Sequence, residues 1–323
     1  MKKSIMISLI VAGALVLFGA GLFAGAMTAG GWDFSILNTY EVVNNTYDFD
    51  EPFTNISIDT DTVDIRFAKS SDGKCRVATR DTSNHIYSVA VEDGTLHIQV
   101  YFKGLFEIGI GAYESFLTVY LPEDAYGALT IKDDTGDIEI PGNFSFESMD
   151  IELDTGEVVS HADAIGTCRI AATTGDIKVE NASVGALALR TTSGDIAVSD
   201  VVCAGSFSAN VRTGDTILTN LTCTDLTCTD LTSTGTTGEL KLTNVIASGK
   251  LDITRDTGDV TFEGVDAASI MVHTSTGDVK GMLLSDKIFR YKTSTGRVEL
   301  PTTTTGGVCD ITTDTGDIII WIK

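Results

Sequence analysis

A glycine-centred turn recurs along the C-terminal two thirds of the chain at a nearly fixed interval. The turn glycines are Gly136, Gly156, Gly175, Gly194, Gly214, Gly238, Gly258, Gly277, Gly296 and Gly316, separated in turn by 20, 19, 19, 20, 24, 20, 19, 19 and 20 residues. A constant period of this length marks a structural unit stacked on copies of itself, because one such unit cannot bury its own apolar side. The single outlier has a visible cause. Residues 221–235 read LTCTD-LTCTD-LTSTG, a five-residue unit in tandem, and removing one copy restores a spacing of 19.

Columns counted from the glycine give the geometry of the unit. Seven residues before it every position is apolar, among them Leu129, Met149, Cys168, Leu187 and Phe207, and five before it stand Ile131, Ile151, Ile170 and Leu189. Two after it come Ile138, Val158, Ile177 and Ile196, and four after it Ile140, Val179, Val198 and Leu218. Two period-2 alternations on either side of a turn are two short strands facing one core, and helical spacing does not fit. Val184, Val201, Val245 and Val265 mark a third inward face. The expected fold is all-β: a single-stranded parallel β-solenoid (β-helix) of about ten 19–20-residue coils over residues 129–323.

Residues 32–128 carry a diverged first coil and a β cap. NISIDTDTVDIRF (55–67) has the strand–turn–strand pattern with Val63 in the glycine position, YSVAVEDGTLHIQV (87–100) is a hairpin around Asp93-Gly94, and FLTVYLPED (116–124) is a further strand. Between hairpin and strand, FKGLFEIGIGAY (102–113) suits a loop packed in the cap or a contact with a membrane surface.

Residues 1–31 form the third region. An uncharged apolar run over 5–29 follows Lys2 and Lys3 and is long enough to cross a membrane as a helix. The lysines place the N-terminus in the cytoplasm and the solenoid outside it, as a single-pass anchor at the cell membrane. Cleavage at Ala24-Gly25-Ala26, which would release a secreted protein, is the alternative.

The residue after the turn glycine is acidic in nine of ten turns, with Arg297 the exception. Stacked, these carboxylates form a column. Asp176, Asp195, Asp215, Asp259 and Asp278 are candidates for a Ca²⁺-binding ladder, against an alternative in which an exposed acid shapes each turn. No other metal or cofactor is implied. Cys203 and Cys223 share one phase on adjacent coils, within disulfide reach or as a buried thiol stack, and Cys228 competes for the same place.

The chain has 22 Lys+Arg against 45 Asp+Glu, a net charge of −23, which excludes nucleic-acid phosphates as a general partner. The four histidines are isolated in sequence and no nucleophile or phosphate-loop motif occurs, so no catalytic residue is assigned and a non-enzyme is expected. The anchor, ISIDT…VDI, VEDGTL, TVYLP and the serial [ST]-x-G-[DE]-[IV] turns resemble the bacterial β-strand-repeat family called "putative adhesin", over residues 40–323. That resemblance implies a β-solenoid at the cell envelope, without catalytic residues. A non-catalytic binding or scaffold module is expected, with an accessory sensor of membrane stress and a polysaccharide-active β-helix as alternatives. The last strand, DTGDIIIWIK, has no cap of its own; Ile319 and Trp321 alternate outward, which suits partner docking or self-association through a C-terminal edge.

Overall fold

The computed structural model describes residues 3–32, 40–104, 114–223 and 230–323, with side chains placed outside 3–5 and 223–235. An exposed helix, Lys3–Ala29, precedes a β-solenoid. The segment 105–113 and Cys228, singled out above, lie outside the described residues.

The coil around Gly175 shows how the pattern folds. A long strand, Asp163–Thr174, leads into the turn, and a short strand, Ile177–Glu180, leaves it. Alternation sends Cys168, Ile170, Ala172, Ile177 and Val179 inward, all buried. After a second corner, Ala182 and Val184 close a third inward run. Val201, Val245 and Val265 are buried likewise, as their column requires.

Stacking is parallel and in register: Leu129 lies opposite Met149, Met149 opposite Cys168, Cys168 opposite Leu187, and Leu187 opposite Phe207. Register also survives the tandem duplication. Thr222 pairs with Ile246 before it and Leu231 with Leu251 after it.

The two ends depart from sequential order. Asn55–Thr62, the first coil strand in the chain, lies between Thr95–Phe102 and Ala125–Thr135. Its companion Asp64–Lys69 pairs with Phe116–Leu121 on one side and Ile138–Ile140 on the other. At the far end Gly307–Thr315 lies between Val260–Thr276 and Lys287–Thr295. The final strand, Ile318–Ile322, likewise sits between Val279–Leu283 and Val298–Glu299. The chain therefore tucks its first and last coils one place inward, and the outermost coil at the C-terminal end is residues 287–299.

Antiparallel strands complete the N-terminal end. His85–Glu92 pairs with Thr95–Phe102 through the expected hairpin, whose Asp93 and Gly94 both have positive φ (49° and 74°). Cys75–Thr82 pairs with Phe116–Leu121, and Val42–Phe49 covers Cys75–Thr82. One hydrophobic cluster runs without a break from Ile56 to Ile320, so cap and coils share a core.

Candidate functional site

The turn column is built by close approach of backbones. A Cβ on Gly194 would lie 2.1 Å from the carbonyl oxygen of Gly175, and one on Gly214 would lie 2.0 Å from that of Gly194. With φ near +140° at these positions, only glycine fits. Val63 is the exception because its turn is the first of the column; the next glycine, Gly136, is the one that needs room for the Val63 carbonyl.

The five candidate acids beside the glycines each have a defined partner. Oδ1 of Asp176 accepts the backbone N–H of Asp195 at 2.8 Å, Asp195 accepts that of Asp215 at 2.7 Å, and Asp215 accepts that of Glu239 at 2.8 Å. Asp259 accepts from Asp278 at 2.8 Å, and Asp278 from Asp317 at 2.6 Å. All five candidate cation ligands thus use one oxygen to tie their own coil to the next. The Lys280 ammonium, and then the Asp317 N–H, also hold the Asp278 carboxyl below its ordinary range. Asp64, beside Val63, belongs to the same series and accepts the N–H of Asp137 at 3.1 Å. Among the described residues no group of three or more His, Cys, Asp or Glu side chains converges as a metal-ligand set.

Arg297 follows from the stacking order. In the chain it interrupts the acids between Asp278 and Asp317. In space its coil comes after that of Asp317, and its own N–H donates to Asp317 Oδ1 at 2.8 Å. No further coil stacks beyond it, so no acceptor is needed there.

A second column escaped the sequence reading. Six residues after the turn glycine, Asn181, Asp200, Asn220 and Asn244 have φ of 51–55°, and Gly264 has 72°. These residue types tolerate the left-handed corner. Their side chains stack as well: Asn244 Nδ2 donates to Asn220 Oδ1 at 3.0 Å, and Asn220 Nδ2 to Asp200 Oδ1 at 2.8 Å. The signal was available at that fixed offset.

Cys203 stands opposite Cys223 in parallel register, as their spacing requires. The Cys223 side chain and Cys228 lie outside the described residues, and Cys203 is buried. Its sulfur donates to the carbonyls of Gly205 and Ser206, at 3.3 and 3.4 Å, in the corner that follows. Burial pushes the thiols of Cys168 and Cys309 up to about 12, which makes them unreactive packing residues.

Trp321 is half-exposed and Ile319 partly so, both pointing away from the core. Their strand is not the end of the stack, however. It is paired along its length with Val279–Leu283, and Val298–Glu299 covers its start. The C-terminal edge belongs instead to Lys287–Thr295, whose Tyr291, in a core column, is 57 % exposed because no coil lies above it. Arg290, Lys292 and Arg297 line this edge, a charged protection against strand addition.

Two polar groups lie buried in the cap. His85 is not isolated, as the sequence suggested: its Nδ1 lies 2.9 Å from Asp81 Oδ1, and the Tyr87 hydroxyl donates to Asp81 Oδ2 at 2.7 Å. The network ties two neighbouring strands and presents no nucleophile. Asp133, 2 % exposed, accepts from the Thr60 hydroxyl at 2.7 Å, while its Oδ2 has no partner.

On the outer face of the long strands three arginines descend diagonally. Arg169, Arg190 and Arg212 stand six, four and two residues before the turn glycines of three successive coils. They line a concave groove of about 640 Å³ whose floor includes Ala171, Ala188 and Ser208, with Asp256 at one end. Arg169 is held at 3.0 Å by both Asp150 and Glu152. Arg190 and Arg212 are exposed and form no ion pair among the described residues.

A family model described as Toastrack DUF4097 matches residues 53–222 and again 204–323. Solved structures of similar form include a "putative adhesin" of Bacteroides fragilis, 15% identical, covering 87% of this chain and 97% of that one with a TM-score of 0.42. Another, named a "putative lipid binding protein" of Parabacteroides distasonis, is 15% identical and covers 72% of this chain and 96% of its own, with a TM-score of 0.46. No curated protein matches the sequence.

Proposed function

Given that the chain belongs to the Toastrack DUF4097 family, we propose that it is a membrane-tethered, non-catalytic binding or scaffold rod at the cell envelope. The observation that carries this reading is the pairing of an exposed apolar helix with a solenoid. Met6–Ala29 has a mean hydropathy of 2.4 and is exposed apart from Met27, which suits either a single-pass anchor or a signal sequence. The scaffold reading draws support from the turn acids, since each of the five candidate ligands is engaged with backbone and serves the stack. The outer faces of the long strands are left to meet partners.

Fractionation tests the tether. The full chain should resist alkaline extraction from membranes and keep a peptide containing Lys2 and Lys3, while external protease reaches the solenoid. A soluble product beginning after Ala26 would contradict an anchor. Purified envelope polymer should co-sediment with the full chain in neutral detergent micelles; no retention of any envelope fraction would contradict the binding role.

A further inference from the structure

We propose that the arginine groove on the long-strand face binds a linear polyanion, with Arg190 and Arg212 engaging successive phosphate or carboxylate groups. The inference rests on the binding-rod reading and adds to it a ligand class and a place. Three observations support it. First, cations are scarce in this chain, which carries 45 acids against 22 Lys+Arg, yet three arginines fall on one diagonal. Second, Arg190 and Arg212 form no ion pair among the described residues. Arg190 lies between Ala171 and Asn210 in register, with no acid on either neighbouring coil at that position. Arg169, by contrast, is occupied by Asp150 and Glu152, and Asp256 stands at the opposite end, so the unpaired charge is confined to the middle of the groove.

Third, the spacing and shape suit a chain laid across the coils. One coil is about 4.8 Å and two strand residues about 6.6 Å, so Arg190 and Arg212 lie about 8 Å apart along the diagonal. At that separation the two guanidinium groups can engage consecutive charged groups of one polymer. Ala171, Ala188 and Ser208 keep the floor low enough for such a chain to lie across the coils. Guanidinium forks match phosphate and carboxylate oxygens in two-point contacts, and the surrounding acids repel anions that approach elsewhere.

The test uses the full chain in neutral detergent micelles, titrated with inorganic polyphosphate, polygalacturonate, neutral dextran and vesicles containing phosphatidylglycerol. Saturable binding of at least one soluble polyanion is expected, with none to dextran, and it should weaken as salt is raised from about 50 to about 300 mM. R190Q/R212Q should bind about tenfold more weakly or worse, with an unchanged melting temperature, while Lys241→Gln, on the short strand after the turn and outside the groove lining, should bind as the parent does. Equal binding by R190Q/R212Q and the parent overturns the inference, as does binding to vesicles but to neither polymer. If neither polymer binds while envelope material still co-sediments with the rod, the groove assignment fails and the binding-rod reading stands.

Discussion

Asp195 accepts one backbone hydrogen bond from the neighbouring coil, and that bond accounts for its presence better than a metal does. Asp195→Ala leaves the Asp215 N–H without its acceptor and should cost about 1 kcal/mol in a urea melt, whereas Asp195→Asn, which keeps an oxygen there, should stay within about 0.5 kcal/mol. Arg297→Ala removes only exposed ion pairs and should also be near neutral. Equal loss at Asp195 with Ala and Asn would point to the charge itself. Asp133 behaves differently. Burial pushes its carboxyl up from 3.8 to about 7, the Thr60 hydroxyl opposes the rise, and Asp134, Asp61 and Asp64 add to it. A value raised on folding means that its contribution is full below pH 3.8 and is lost as pH climbs through about 7. Asp133→Asn should therefore gain on the parent between those limits, by up to about 4 kcal/mol at mildly alkaline pH. Parallel stability curves for parent and variant across that range would contradict it.

At the scale of elements, the coil was legible and the order of the end coils was not. Columns such as Leu129 to Phe207 specify which residues face inward, because strand alternation fixes the side of each position. Every coil presents the same columns, so exchanging the last two coils leaves the pattern unchanged. Only Arg297, standing where the other coils have an acid, hinted at the exchange. The corner residues Asn181, Asp200, Asn220 and Asn244 were equally visible once aligned, and so was the arginine diagonal at offsets of six, four and two. The Asp81–His85–Tyr87 network was harder to see, because it forms across the bend between Cys75–Thr82 and His85–Glu92. Tucking the last coil inward has a measurable consequence. Amides of Gly307–Thr315, in a strand paired on both sides, should exchange more slowly than those of Lys287–Thr295, although they lie nearer the C-terminus. The reverse order of protection would place the final coil at the edge.

The whole molecule is a stack held by one core, two corner columns and interlocked ends, with an apolar helix at its start. Nine of its 45 acids are the turn acids, so part of the net charge reports architecture and not partners. What separates this account from a simple sequential solenoid is the neighbour of the coil at Gly277. The most direct measurement is oxidative cross-linking of cysteine pairs on the outward column, mapped by mass spectrometry. Met271 lies opposite Asp310, and Asp310 opposite Arg290. M271C/D310C should form a disulfide readily, while M271C/R290C, two coils or about 10 Å apart, should not. Efficient cross-linking of M271C/R290C and none of M271C/D310C would contradict the stacking order, and with it the explanation of Arg297.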